Sequence, residues 1–478
     1  MLTLYPGQKP EYPAGDPVGD RAELRLSKGE KFATATCRLV INGQETRAKS
    51  SVPLADMTDD IMRDRLCCRA LKAAFYRASL KSGHEKPAWG MLTGVRPGKL
   101  YRETIDEVGE KRAKSRFMKL FDVSEDRAEL CRCVSEETER AQKSLDERSA
   151  CLYVGIPFCP TRCAYCSFVS QSVEKSMKLI PPFLDALMLE LKAAAEQINK
   201  LGLEVISIYM GGGTPTTLSA AELDRLCTAI ETELDRKNLR EYTVEAGRPD
   251  TISAEKLRVL RSHGVDRISV NPQTMNDNVL AAIGRKHTAQ DIINALSAVR
   301  AVGGMAVNMD LIAGLPADSF ASFSETLETV TALEPENITI HTLSLKKGSR
   351  IMLEGSALPQ SDEVGKMLDL SRSRLTAGGW RPYYLYRQKY MSGGFENTGW
   401  AKPGYENLYN ICIMEELCSI IAIGGGGSTK LVSPYGGKNI RIFAPKYPAE
   451  YISGIQKICG DKQGIAEFYD KEWKDHGI

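Results

Sequence analysis

The sequence lacks long apolar runs and long blocks of one charge sign. No stretch of about 18 consecutive apolar residues occurs, so we expect no transmembrane helix. The opening residues, MLTLYPGQKPEYPAGD, are too polar and too interrupted by proline for a secretory signal peptide, which predicts a cytoplasmic location. The 63 Lys and Arg residues and the 61 Asp and Glu residues are mixed along the chain, so the charge pattern does not favour a nucleic-acid partner.

The cysteines also lack the pattern of a disulfide scaffold. Thirteen cysteines in 478 residues are unusual for that class of protein, and clustered cysteines in a reducing compartment indicate metal binding or catalysis instead. Cys67, Cys68, Cys131 and Cys133 fall within predicted helices, and no nearby Cys or His completes a site around them. We therefore interpret these four as structural thiols.

Length and composition indicate more than one folded unit. A chain of 478 residues with 42% hydrophobic and 26% charged residues exceeds one ordinary core and suits two or three domains. We predict an N-terminal α+β accessory domain over residues 1–147, a core domain over 148–375 and a C-terminal domain over 376–478 that closes the active site.

The N-terminal part combines a hairpin with helices. Alternating apolar residues over Ala22–Leu26 and Phe32–Ile41 predict two strands joined by a turn. Apolar residues at helical spacing predict four helices: Asp59–Leu80, Lys99–Val108, Lys111–Leu120 and Ser124–Leu145.

From Cys151 onward, short β-rich runs alternate with longer helical ones, which indicates parallel βαβ units and an α/β fold. The predicted strands are Leu152–Ile156, Val205–Met210, Tyr242–Ala246, Arg267–Val270, Ala306–Ile312 and Asn337–Leu343. The predicted helices between them are Pro182–Leu201, Ala220–Leu234, Ala254–His263, Val279–Val302 and Phe320–Leu333. Polar residues and glycines cluster just past the strand ends, where ligands bind in parallel α/β folds.

The first of these strands is followed by GIPFCPTRCAYCSF, a CxxxCxxC loop. Pro157 and Pro160 exclude a continuous helix through it. The thiolates of Cys159, Cys163 and Cys166 can hold three irons of a [4Fe–4S] cluster and leave the fourth iron free for a small chelating ligand. The alternative is a structural zinc site, which requires four protein ligands, and no fourth ligand is evident nearby.

The second strand ends in the glycine-rich run GGGTP, residues 211–215. Glycines let the backbone approach a ligand closely and present its amide and carbonyl groups. By itself the run is equally typical of a tight turn between a strand and a helix.

Further strand ends bring Glu245, Gln273 and Asp310 to the same predicted edge, and Arg285 follows Gln273 by twelve residues. Carboxylates suit an ammonium group or ribose hydroxyls, and a guanidinium suits a carboxylate. Together these side chains predict a site for a zwitterionic nucleoside.

The motifs resemble a known family. The segments YVGIPFCPTRCAYCSF, MGGGTPT, VEAGRPD, RISVNPQTM, IGRKH and NMDLIAGLP are similar to the oxygen-independent coproporphyrinogen III oxidase group of radical S-adenosylmethionine (SAM) proteins. The segments EAGRPDT, SVNPQTMN, YRQKYM and YNICIMEE resemble its HemZ-type branch. The resemblance implies a partial (β/α)6 TIM-like barrel, an N-terminal α+β domain and a C-terminal α/β extension.

The resemblance also implies two cofactors and their ligands. It assigns the [4Fe–4S] cluster to Cys159, Cys163 and Cys166, and it counts these cysteines and Tyr153 as catalytic. Contacts to the SAM on the cluster are implied for Tyr153, Gly212 and Glu245. Contacts to a second SAM molecule are implied for Tyr165, Gly213, Thr214, Gln273, Arg285 and Asp310.

The implied reaction belongs to haem biosynthesis. Two propionates of coproporphyrinogen III are oxidatively decarboxylated to vinyl groups without oxygen, which gives protoporphyrinogen IX and requires an electron donor. The organic cofactor supplies the radical chemistry, and the protein positions the substrate. We expect Arg248, Arg387 and Lys389 to pair with substrate propionates.

The match departs from the family at two points. Haem-chaperone relatives carry a His-Asn pair where this chain has Tyr409 and Asn410, which makes haem delivery less expected. The oxidases carry one more cysteine after the cluster motif, where Ser167 and Phe168 stand here. A haem-binding chaperone and a methyltransferase-like enzyme that modifies tetrapyrroles therefore stay open as alternatives.

A second glycine-rich run, IGGGGS at Ile423–Ser428, invites comparison with a nucleotide-binding loop. It lacks the GK[ST] ending of such loops, and we interpret it as a turn that closes a domain.

Overall fold

The computed structural model describes residues 4–5, 11, 19–166, 171–172, 176–344, 349–354, 357–388, 391–437 and 439–476. The chain divides into two compact units. The first comprises Met1–Val95, Tyr101–Leu130 and Gly393–Phe395, and the second comprises Arg96–Leu100, Cys131–Ser392 and Glu396–Ile478. The division into three domains stays a prediction. No helix in the described ranges is long and apolar enough to cross a bilayer.

The first unit is built on a three-stranded antiparallel sheet, β1 (Arg21–Lys28), β2 (Phe32–Ile41) and β3 (Gln44–Pro53), against which helix α1 (Asp60–Lys81) packs. The later N-terminal helices are α2 (Pro97–Val108), α3 (Glu110–Phe121) and α4 (Glu125–Lys143). The predicted hairpin and helices are confirmed, but strand β3 was missed. Its signal was Asn42-Gly43, where both residues have positive φ, as a two-residue hairpin turn requires.

The second unit contains one mixed sheet with helices between its strands. Its strands are β4 (Ser149–Ile156), β7 (Glu204–Gly212), β8 (Glu241–Glu245), β9 (Arg267–Ser269), β10 (Ala306–Ala313), β11 (Asn337–Thr342), β12 (Arg381–Arg387), β13 (Glu396–Ala401), β14 (Ser419–Gly424), β15 (Ser428–Leu431) and β16 (Ile440–Phe443), and a separate short pair comprises β5 (Phe158–Cys159) and β6 (Gln171–Ser172). Its helices are α5 (Ile180–Leu201), α6 (Ala220–Glu233), α7 (Ala254–Ser262), α8 (Asp277–Ala282), α9 (Ala289–Val302), α10 (Phe320–Ala332), α11 (Arg350–Glu354), α12 (Ser361–Ala377), α13 (Leu408–Glu415), α14 (Pro448–Ser453), α15 (Ile455–Asp461) and α16 (Gln463–His476).

Six parallel strands form the centre of the sheet in chain order, β4-β7-β8-β9-β10-β11, and each coincides with a strand predicted from the sequence. This order is that of a partial α/β barrel, so the predicted fold class is confirmed. On one side β14 pairs parallel with β4, and on the other side β13 pairs antiparallel with β11. The six strand ends therefore open toward one edge, where the chemically important residues collect.

The single helix predicted over Val279–Val302 is wrong, because the structure has two helices there, α8 and α9. Gly284 has a φ of +74°, which ends helical geometry. The next helix starts at a capping box, in which the side chains of Thr288 and Asp291 each accept a hydrogen bond from the other residue's backbone amide. The break leaves Arg285 in the connecting segment, free to turn toward the strand ends.

The run Ile423–Ser428 is a strand end followed by a hairpin, since Ile423 and Gly424 belong to buried β14 and Ser428 begins β15. A Cβ on Gly424 would overlap the carbonyl of Gly155 on β4. The glycines therefore let the added strand pack closely against the first barrel strand.

Candidate functional site

The cysteine loop follows β4 and is held in place by backbone hydrogen bonds. The Ala164 amide donates to the carbonyl oxygen of Ile283 at 2.9 Å, and the Ile351 amide donates to the Ala164 carbonyl at 3.3 Å. The loop is thereby fixed to the end of α8 and to α11. This anchoring turns three partly exposed thiols toward a common cavity.

The glycine-rich run is joined directly to the cysteine loop. The amide of Gly213 donates to the Ile156 carbonyl, and the amide of Thr214 donates to the Phe158 carbonyl, both at 2.7 Å. The Thr214 hydroxyl lies 3.4 Å from the Cys159 sulfur. The approach leaves no room for a side chain at position 213, because an added Cβ would lie 2.8 Å from the Ile156 carbonyl oxygen and closer still to that of Phe158. The run is therefore more than a turn, since it fixes the position of the cysteine loop.

These loops surround an open cavity of about 290 Å³ at the carboxyl ends of the parallel strands. Ten of the twelve residues predicted for the site line it: Cys159, Cys163, Tyr165, Cys166, Gly212, Gly213, Thr214, Glu245, Gln273 and Arg285. The remaining two predicted residues, Tyr153 and Asp310, are not part of the described cavity wall. Their assigned roles, like those of the lining residues, stay predictions.

Tyr153 and Asp310 lie just behind the cavity wall. A Cβ on Gly212 would be 3.3 Å from the Tyr153 hydroxyl, so that phenol sits beside the glycine run. Burial, followed by the nearby Glu245, raises the pKa of Tyr153, which keeps it neutral. The Asp310 carboxylate accepts a 2.8 Å hydrogen bond from the Asn308 amide and lies 3.7 Å from Nε2 of His341.

Burial alone would raise the pKa of Asp310, but the interactions with His341 and Asn308 outweigh it and hold the pKa below its usual value. Asp310 is therefore an anion that orients His341, and His341 itself lines the cavity.

Glu245 is an acid poised near neutrality. Burial raises its pKa to about 7, and the Asp310 charge adds to that shift, while a 2.6 Å hydrogen bond from the Tyr209 hydroxyl and the nearby His341 oppose it. A carboxyl with this pKa is ready to receive a cationic ligand, whose ammonium group would return it to the ionised form.

The stability of the ligand-free protein should depend on pH through Glu245. The pKa rises from 4.5 to about 7 on folding, so the unfolded chain releases this proton first and carboxylate formation favours unfolding between these two values. We expect Glu245→Gln to become more stable relative to wild type as the pH rises from about 5 to 8, by about 2 kcal/mol, with no further gain above that range. Denaturant unfolding of both proteins across this range measures the difference. An equal offset at every pH would contradict the assignment.

Arg285 and Gln273 are held by the strand-end backbone. The Arg285 guanidinium donates to the carbonyls of Asn271 at 2.6 Å and Gly247 at 3.3 Å, and to the Tyr165 hydroxyl at 3.2 Å. Gln273 has a φ of +67°, and its backbone bonds to the Asp310 carbonyl and the Ile312 amide hold that conformation. The Arg285 side chain and the Gln273 backbone are therefore preorganised.

The residues predicted to contact the substrate differ in their position relative to the cavity. Arg248 lines the cavity, whereas Arg387 is buried in β12 beside Glu396 and is absent from the described cavity wall. Lys389 lies outside the described residues. Among the aromatic residues of the cysteine loop, Phe158 is fully buried against Phe183. Phe168 falls outside the described ranges as well.

The three loop thiols fit an iron–sulfur cluster better than a single ion. A zinc ion with bonds of about 2.3 Å would draw its sulfur ligands into close mutual contact. In the described part of the chain, Cys159, Cys163 and Cys166 are not a set whose ligand atoms all lie within 4.8 Å of one another. The open cavity beside these partly exposed thiols suits a cluster of several irons with one iron open to a small ligand.

A set of three thiols that does meet this spacing lies elsewhere in the core. Cys151, Cys412 and Cys418 are buried, and the sulfurs of Cys151 and Cys418 are 3.7 Å apart. They pack with Ile206 and Ile420 in an apolar cluster. Hydrogen bonds within the set and burial raise the pKa of Cys151, which favours a neutral thiol there, whereas hydrogen bonds from Cys151 and Cys412 lower the pKa of Cys418. We interpret them as packing residues. Their proximity could not be predicted from the sequence, because Cys151 and Cys418 are 267 positions apart.

Several cavity residues were missed by the sequence analysis, notably Asn271, His341 and Asn397. Asn271 lies two residues after the end of β9 and two residues before Gln273, so the same strand-end argument applied to it. His341 and Thr339 are two residues apart on β11, so their side chains lie on the same face of the strand. This shared polar face was the signal for His341. Asn397 comes from β13, an antiparallel strand distant in sequence, and no local pattern indicated it.

Comparison with known proteins assigns this region to a family model. Residues 153–330 match the radical SAM superfamily. The oxygen-independent coproporphyrinogen-III oxidase-like protein HemZ of Bacillus subtilis is 37% identical over 397 residues, which are 81% of this chain and 79% of that protein. The heme chaperone HemW of the same organism is 30% identical over 54% of this chain and 65% of its own length.

A solved structure agrees on the fold. Coproporphyrinogen III oxidase (HemN) from Escherichia coli, a radical SAM enzyme, superimposes with a TM-score of 0.53 at 22% identity, over 68% of this chain and 72% of that one. At this identity the likeness concerns the fold alone, and it supports the partial barrel described above.

Proposed function

The chain belongs to the oxygen-independent coproporphyrinogen III oxidase family of radical SAM proteins, and from this premise we propose that it oxidatively decarboxylates coproporphyrinogen III to protoporphyrinogen IX. It is a radical SAM oxidoreductase whose cofactors are a [4Fe–4S] cluster and SAM. When bound, these cofactors supply the one-electron chemistry that removes a hydrogen atom from the substrate. The protein's own residues bind, orient and shield the reactants.

One observation carries the proposal: three thiols, a carboxyl group with a pKa near 7 and a fixed guanidinium line one cavity at the strand ends. In this arrangement Cys159, Cys163 and Cys166 would hold the cluster. Glu245 would accept the ammonium group of SAM, and Arg285 would present its charge to a carboxylate. Preorganised donors of this kind hold the reactants in a fixed orientation, which favours radical chemistry at a defined position.

The test is an anaerobic incubation of the reconstituted protein with a reductant, SAM and coproporphyrinogen III. We expect protoporphyrinogen IX and 5′-deoxyadenosine to accumulate together, and chromatography with mass detection measures both. Cleavage of SAM while the porphyrinogen stays intact would reject the assigned substrate. Formation of S-adenosylhomocysteine with a methylated product would favour the methyltransferase-like alternative instead.

A haem-carrier function is the second candidate, and the similarity to HemW proteins favours it. Against it, Tyr409, at the position of the chaperone histidine, is buried, and its ring stacks on that of Tyr209 with centroids 4.5 Å apart. His341 does line the cavity and could offer an imidazole. Haem titration followed by absorbance separates the candidates, because a Soret shift that His341→Ala removes would support the carrier role.

A further inference from the structure

Arg248 is a buried cation beside the cysteine loop. It follows β8 and is only 3% exposed, yet it lines the cavity. Its Nη1 donates to the Thr161 hydroxyl at 3.0 Å and lies 3.8 Å from the Cys163 sulfur. Thr161 and Cys163 belong to the cysteine loop, so this guanidinium touches the loop at two points.

The charge of Arg248 is only partly offset by its neighbours. Its Nε lies 3.3 Å from the Asp250 carboxylate, whose side chain is 38% exposed and therefore partly screened by water. Its Nη2 is buried and has no hydrogen-bond acceptor within the described parts of the chain. A buried cationic donor without an acceptor destabilises the folded protein, unless a nearby negative group stabilises its charge.

An iron–sulfur cluster on the loop thiolates would be such a negative group. Three thiolates give the oxidised cluster a net negative charge, and one-electron reduction adds one more. Cluster potentials depend on net charge, on hydrogen bonds to the sulfurs and on exposure to solvent. A cation that donates toward a ligand sulfur therefore stabilises the reduced state more than the oxidised state.

We propose that the positive charge of Arg248 raises the reduction potential of the cluster through its contact with the Cys163 sulfur. The inference rests on the proposed role of Cys163 as a cluster ligand. Arg285 is a second cation beside Cys163, and it hydrogen-bonds to that sulfur as well as to two backbone carbonyls and Tyr165. Loss of Arg248 should therefore lower the potential without removing the positive field entirely.

The experiment is an anaerobic redox titration of the full chain, followed by the paramagnetic resonance of the reduced cluster, with iron and sulfide content measured in parallel. At the midpoint of the wild-type protein, we expect Arg248→Gln to show about a tenfold lower ratio of reduced to oxidised cluster. For a one-electron couple this corresponds to about 59 mV. Arg248→Lys, which keeps the charge, should shift less than half as far.

Two further variants separate charge from loop positioning. Thr161→Val removes the hydroxyl that Arg248 holds but leaves the cation, so its potential should stay close to that of the wild type. Asp250→Asn removes the partial counter-charge and should shift the potential in the opposite direction, upward. If Arg248→Gln does not retain a cluster, the direction in which Asp250→Asn shifts the reduction potential tests the proposal instead.

Three results would overturn the proposal: a wild-type midpoint in Arg248→Gln, an equal downward shift in Thr161→Val, or no upward shift in Asp250→Asn. The titration contains no tetrapyrrole, so failure of the decarboxylation assay leaves its outcome unaffected. Absence of any cluster signal from the wild-type chain would reject both this inference and the assigned cysteines.

Discussion

Replacing any one of Cys159, Cys163 or Cys166 with alanine is expected to abolish the stable cluster and to lower SAM cleavage at least about a thousandfold. The three thiols line the same cavity and act as one unit, so each single loss should cost nearly as much as losing all three. Iron and sulfide content, the absorbance of the cluster and 5′-deoxyadenosine formation measure the effect.

The matched controls are cysteines outside the cavity. Cys68 is exposed in the first unit, and Cys227 is buried in α6 beside Tyr242. Cys68→Ala should leave the cluster and activity unchanged, and Cys227→Ala should affect stability only. Full iron content in any of the three loop variants would show that the corresponding cysteine is not a ligand.

Gly213→Ala is expected to have the second largest effect, although it adds one methyl group. The new Cβ would overlap the carbonyl oxygen of Phe158 and lie 2.8 Å from that of Ile156. Both contacted atoms belong to the backbone, so the overlap can be relieved only if the glycine-rich run and the cysteine loop move apart. We expect loss of most bound iron and SAM, and a destabilisation of about 1–3 kcal/mol from overpacking.

Iron content after reconstitution, equilibrium binding of SAM and thermal unfolding together measure this effect. Gly460→Ala is the matched control, because an added Cβ there meets no atom within 4 Å and the residue lies in helix α15. That control should be neutral or slightly stabilising. Wild-type cofactor binding by Gly213→Ala would mean that the contact between the two loops does not support the site.

The order of elements was predictable because it is a local property of the chain. The strand Val205–Met210 is a mostly apolar run that the tertiary structure buries almost completely, and the apolar spacing of Ala220–Leu234 is helical by itself. The errors occurred where periodicity continues across a break. Gly284 interrupts an apolar pattern that otherwise suits one helix from Val279 to Val302.

The sequence by itself determined the chemistry of the site, since three thiols at fixed spacing and the polar residues at strand ends are local features. Parallel strands in chain order then bring their carboxyl ends together, whatever the details of packing. Only the tertiary structure decided which polar groups face the cavity, as His341 and Asn397 do, and which lie behind its wall, as Tyr153 and Asp310 do. It also placed the Arg248 guanidinium against Cys163, 85 positions away. Such contacts join residues distant in the chain, and their energies depend on burial and exact distance, which no local sequence pattern specifies.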